Sequence, residues 1–292
     1  MLGKLWPGLL DILATHTGMS ITQRKVMKTG KKHLWLFFMI AFAWMWGLNA
    51  PRLLDSLGII SLKPLLSTLL GYAAVWGPAV AAFSLTAAHS GREGLRELWR
   101  RDWKVQFSPR WWLPALLLMP LMGGLTLLIL RAFDLPIAWE HGLFPAMIVP
   151  IGLVIWLVGA LPEEYGWRGY ALGRLLEEHS PRNASLLLGL IWAAWHLPLH
   201  FISTSTQAAI PIWEFWLQTV VLTVIYTWLY LSTGGSVLIA GLFHATGNLT
   251  GAVIPYWTTE AGRWISFGLL LIPAMIIILQ GFQTAKSSPL NE

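Results

Sequence analysis

Apolar runs of about 20 residues, recurring from residue 33 to residue 282 with short polar breaks, constrain this chain more than any other feature. A helix rises 1.5 Å per residue, so about 20 apolar residues span a hydrocarbon core of roughly 30 Å. Eight windows meet that length: 33–50, 65–88, 111–131, 143–162, 184–203, 212–231, 236–255 and 264–282. In lipid every backbone polar group needs an internal partner, and runs of this length and continuous apolarity satisfy that as helices. The expected fold class is therefore all-α, a polytopic transmembrane helical bundle of about eight spans. Composition agrees: 55% of the residues are hydrophobic, 12% are charged, and the mean hydropathy is +0.59. That balance excludes an ordinary soluble domain. The 19 Trp residues fit too, because indole rings favour the headgroup region.

The charge pattern sets the expected orientation. With the N-terminus inside, 16 Lys and Arg fall on the inner side against four outside, namely Arg52, Lys63, Arg131 and Arg263. Basic segments tend to stay cytoplasmic, so both termini are expected there, in the cell membrane if the source is prokaryotic. Residues 1–32 read as a basic cytoplasmic tail, with a short amphipathic helix around Leu5 to Leu13; residues 33–282 read as the membrane domain and 283–292 as a short polar tail. The net charge of +6 is explained by segments flanking the spans and by contact with the bilayer, so nucleic acid is not an expected partner. From Gly91 to Lys104 the chain reads GREGLRELWRRDWK, which places Leu95, Leu98, Trp99 and Trp103 on one face of a surface helix. The absence of Cys removes thiol catalysis and thiolate metal sites.

Ionisable side chains inside apolar spans cost free energy and call for a partner or a function. Three clusters stand out. In the first, Glu163 and Glu164 are followed by Arg168 at the end of the fourth span. Glu164 and Arg168 are four apart and can pair on one helix face, whereas Glu163 is turned about 100° away. In the second, Trp192, His196 and His200 are spaced by four, with Pro198 interrupting the helix. A metal pair on the two histidines is one reading of that spacing, and a kink at Pro198 weakens it. In the third, His244 and Asn248 share a face of the seventh span; they either bind helices together or direct two donors at a developing oxyanion. Together the clusters contain the parts of a hydrolase that uses water, because no Ser lies in a G-x-S-x-G elbow and there is no Cys.

In these residues the chain resembles the CAAX-protease and bacteriocin-processing (CPBP) family of intramembrane glutamic endopeptidases, related to type II CAAX prenyl proteases. The family motifs E-E-x-x-x-R, F-x-x-x-H and H-x-x-x-N appear in that order: Glu163-Glu164 to Arg168, Trp192 to His196 with Trp in place of Phe, and His244 to Asn248. The likeness is concentrated in residues 143–255. It implies a peptide hydrolase in which Glu163 activates water with the help of His196, while His244 and Asn248 stabilise the oxyanion. Glu164 and Arg168 would support them, and Trp192 is a candidate for shaping the substrate groove. No cofactor is implied, and the substrate would be a membrane-associated peptide, either prenylated at its C-terminus or bacteriocin-like. Two other readings stay open: a noncatalytic peptide-binding or immunity protein of the same fold, and a metal-dependent protease using His196, His244 and a carboxylate.

Overall fold

The computed structural model describes residues 33–137 and 147–282, which places the two expected tails and the helix around Leu5 to Leu13 outside the described residues. The described residues are helical, with no strand among them. The order is α1 (Leu34–Ser56), α2 (Pro64–Ala74), α3 (Gly77–Asp102), α4 (Trp112–Ala132), α5 (Ile148–Val154), α6 (Leu161–Gly166), α7 (Gly173–Leu175), α8 (Pro181–Trp195), α9 (Ile212–Ser232), α10 (Val237–Val253) and α11 (Glu260–Leu279). Among the described residues five helices are long and apolar enough to cross a membrane, and α2 with α3 as far as Arg100, bent by 47° at their junction, makes a sixth when the pair is counted as one span. The shorter α10 and the run from α5 to α7 lie where the sequence places the remaining spans. The molecule is a helical integral membrane protein.

Lipid is as apolar as a leucine side chain, so helices here associate through close backbone approach and internal polar contacts. Helix α8 packs along α9, α10 along α4, α1 along α3, and α3 along α6. At the α8–α9 crossing, a Cβ on Gly189 would lie 2.8 Å from Val220 Cα, so only glycine permits the approach. Outward faces carry exposed apolar residues such as Leu65, Leu117, Leu128 and Leu279, which suit a lipid surround. Contacts between loops follow the alternation of the spans. Lys104 donates to the Gly234 carbonyl and Ser236 to the Lys104 carbonyl, both at one end of the bundle. At the other end Ser56 meets Ser203, and Arg263 pairs with Glu214. The α9–α10 hairpin closes through Gly234 and Gly235, whose φ values of +62° and +88° suit residues without a Cβ.

Three boundaries differ from the sequence reading. The fourth span does not stop at residue 162: the helical run continues to Leu175, and every residue from Leu161 to Leu172 is buried. Glu163, Glu164 and Arg168 are thus inside the bundle and not in a terminal charge cluster. The run is irregular, with π-helical turns at Ile155–Ala160 and Trp167–Leu172 flanking α6. Pro162 has no N–H to give the Val158 carbonyl, which accounts for a widened turn before the acid pair. The fifth span does not kink and resume as an α-helix at Pro198; α8 ends at Trp195 and Leu197–Phe201 follows as a 3₁₀ turn. The surface helix is continuous with the second span except at Gly91, where φ is +57°. Its Leu98 is buried, while Trp99 stacks on Tyr165 with ring centroids 5.9 Å apart.

Candidate active site

The polar residues of the three clusters converge on α6, α8 and α10, the helices around which the others pack. Glu164 and Arg168 are both fully buried, and Arg168 donates to Glu164 Oε1 at 2.9 Å, the pair that their spacing predicts. The same oxygen lies 2.9 Å from His244 Nδ1, on a helix 80 residues away in sequence. An ionised carboxylate offers only lone pairs, so Nδ1 carries the proton and the neutral ring keeps its acceptor at Nε2. For His244 to donate from Nε2, the ring must hold both protons, and Glu164 is placed to balance the charge gained. That is the orienting role a buried carboxylate plays toward a catalytic imidazole.

The guanidinium has a second set of partners. Its carbon lies 3.9 Å from the centroid of Tyr226 and 4.7 Å from that of Trp192, so two ring faces flank the charge. Arg168 Nε and Nη2 and Glu164 Oε2 make no hydrogen bond among the described residues. Ring faces therefore replace hydrogen-bond acceptors on part of the guanidinium.

Glu163 is 5% exposed, and its Oε2 accepts from the Trp192 indole N–H at 2.9 Å. His196 is fixed by the end of its own helix. Beyond Trp195 the turn tightens toward the 3₁₀ segment, and the His196 N–H reaches the Ala193 carbonyl at 3.1 Å. The Trp192 carbonyl is free to accept from His196 Nδ1 at 2.8 Å. A carbonyl is only an acceptor, so the neutral ring again has its lone pair at Nε2, ready to align water or take a proton. Pro198, which the sequence marks as an interruption, thereby sets the tautomer of the histidine two residues before it. The adjoining Trp195 carbonyl is taken by the Trp46 indole at 3.2 Å.

The remaining candidates are placed differently. Asn248 is exposed on α10, one turn beyond the buried His244, and makes no hydrogen bond with the described residues. Trp192 is buried, with its ring edge-on to Tyr226 and His244 at centroid distances of 5.6 and 5.5 Å. His200 turns its Nδ1 to the Ile210 carbonyl and packs on Phe215, as His196 also does. Among the described residues, no three His, Asp or Glu side chains converge as a ligand set for a metal ion. Contacts between helices lay outside the reach of sequence reasoning. Tyr226, beneath Arg168, stands in an apolar span with no motif around it, and the Glu164–His244 bond joins two motifs that spacing treats separately.

Fold and site define a class: a polytopic helical membrane protein that buries a carboxylate pair and a guanidinium and sets two tautomerically fixed imidazoles, one buried and one half-buried, among aromatic rings. Residues 145–250, which carry all these groups, match the family described as Type II CAAX prenyl endopeptidase Rce1-like. A curated relative, CAAX prenyl protease 2 of Methanococcus maripaludis, is 36% identical over 142 residues, covering 47% of this chain and 51% of that protein. The chain thus spans about half the length of the curated relative it matches. Over its motif-bearing core the chain is thus similar to type II CAAX proteases.

Proposed function

We propose that the chain is an intramembrane endopeptidase in which Glu163 activates water to hydrolyse a peptide bond, and that its substrate is a membrane-associated peptide prenylated near its C-terminus. The observation that carries this reading is the carboxylate of Glu163, buried in a span and anchored by the Trp192 indole N–H, beside an imidazole whose lone pair is left at Nε2. Glu163 takes the proton as the water oxygen attacks the carbonyl carbon. The same proton passes to the amine as the C–N bond breaks. His196 aligns the water. His244, charged by a second proton that Glu164 balances, donates from Nε2 to the oxyanion, with Asn248 completing the donors from its exposed position. Glu164 and Arg168 hold that histidine. The substrate class follows the name of the Methanococcus relative, and the excess of basic residues on one set of loops supports a site facing the cytoplasm.

The test is direct. Purified protein in lipid nanodiscs is given a fluorogenic peptide carrying a prenylated Cys near its C-terminus, and cleavage is followed by mass spectrometry. Glu163→Gln, His196→Ala and His244→Ala each nearly abolish turnover at unchanged fold. Normal turnover in Glu163→Gln overturns the assignment, and loss of turnover on exhaustive chelation, restored by a stoichiometric metal, replaces it with a metal-dependent one.

A further inference from the structure

The departure of this chain from the F-x-x-x-H pattern is chemical as well as steric, because the indole of Trp192 has an N–H and a phenyl ring does not. We infer that Trp192 is the positioning residue of Glu163: it holds Oε2 by its N–H so that Oε1 is presented to water. The proposal rests on the role of Glu163 given above and adds a residue that the pattern alone assigns to packing.

Five contacts support it. The indole N–H meets Oε2 at 2.9 Å, and both partners are buried. The Trp192 carbonyl accepts from His196 Nδ1 at 2.8 Å, so one residue locates both the carboxylate and the imidazole. Arg168 covers the indole face, which limits its rotation, and the Tyr226 and His244 rings close on its edge. A glutamate carboxylate on three side-chain torsions, in a short helix between two widened turns, has many orientations. One bond from a ring locked on its faces leaves few, and that is what a general base needs to keep its oxygen within reach of a water. The indole also occupies one lone pair of the carboxylate, so water binds at the other oxygen.

Trp192→Phe keeps an aromatic ring and the backbone carbonyl and removes the N–H. Loss of one hydrogen bond to a charged group corresponds to about a 10- to 100-fold fall in rate. The expected result is a fall of that size in kcat, with KM within about threefold of wild type and an unchanged melting temperature in nanodiscs. A groove-lining residue would instead move KM, and that outcome overturns the inference. If the melting temperature of Trp192→Phe drops, the decision passes to site-specific replacement of Trp192 by benzothienylalanine, which exchanges the N–H for sulfur at nearly constant shape. A kcat loss there sustains the proposal, and wild-type kcat overturns it. Glu163→Gln is assayed in parallel. An inactive Glu163→Gln with a fully active Trp192→Phe sinks only this inference, whereas an active Glu163→Gln sinks the proposed function beneath it.

Discussion

Replacing Arg168 by Met tests whether the buried polar cluster is one coupled unit. The substitution removes a fully buried cation from a fully buried carboxylate, leaving Glu164 with His244 as its one neighbouring donor. Breaking a buried ion pair from one side costs about 3–5 kcal/mol, because the abandoned charge keeps its desolvation penalty. The ring faces of Tyr226 and Trp192 at 3.9 and 4.7 Å add a cation–π contribution of about 2 kcal/mol that Met cannot replace. His244 offsets part of the loss, and contributions within one network do not add, so about 4 kcal/mol is expected, or roughly a thousandfold in the unfolding equilibrium. The assay is reversible unfolding in mixed micelles by denaturing detergent, run as a double-mutant cycle with Glu164→Gln. Removing both charges leaves no orphan, so the double variant should be more stable than the sum of the single losses by about 2 kcal/mol or more. Single losses below 1 kcal/mol, or strict additivity, would refute the coupled-cluster account. Arg168→Lys should lie between, since an ammonium keeps the charge but lacks the planar surface that lies against two rings.

Two further outcomes follow from the surroundings of the site. A Cβ on Gly166 would come within 2.6 Å of the Pro78 carbonyl group, so Gly166→Ala should separate α3 from α6, cost about 1–3 kcal/mol and lower turnover by displacing the acid pair; wild-type stability in the same unfolding assay would contradict the packing. Glu177, in the turn between α7 and α8, has its carboxyl pushed up to about 7, chiefly by burial and further by Glu178, with Arg174 opposing. A carboxyl whose folded value is raised binds protons more tightly in the folded state, so stability falls as pH rises from the ordinary carboxylate range through about 7. Because the group is partly exposed, the loss is discounted to on the order of 1 kcal/mol. Glu177→Gln should therefore raise the melting temperature at pH 8 and leave it unchanged near pH 4; equal effects at both would exclude the titration.

The residues themselves show how far a sequence reaches. The apolar runs determined a helical membrane bundle, since lipid permits few other ways to satisfy a backbone. Fixed 3.6-residue geometry determined the Glu164–Arg168 pair, which the structure shows at 2.9 Å. It also determined that Pro198 would disturb its helix. The form of that disturbance, a 3₁₀ ending that frees the Trp192 carbonyl for His196, depended on how α8 meets the segment after it. The end of the fourth span was misplaced because buried charges read as a loop when the partners that neutralise them lie on other helices. Interhelical contacts were illegible for the same reason. That Glu164 meets His244, that Tyr226 lies under Arg168 and that Trp192 donates to Glu163 follow from which faces the packed helices turn to one another. Sequence alone determined which chemical groups enter the membrane, through local periodicity and the cost of burying charge. Only the tertiary structure decided which of them share a proton or a hydrogen bond, because that is set by rotation and approach between helices far apart in the chain.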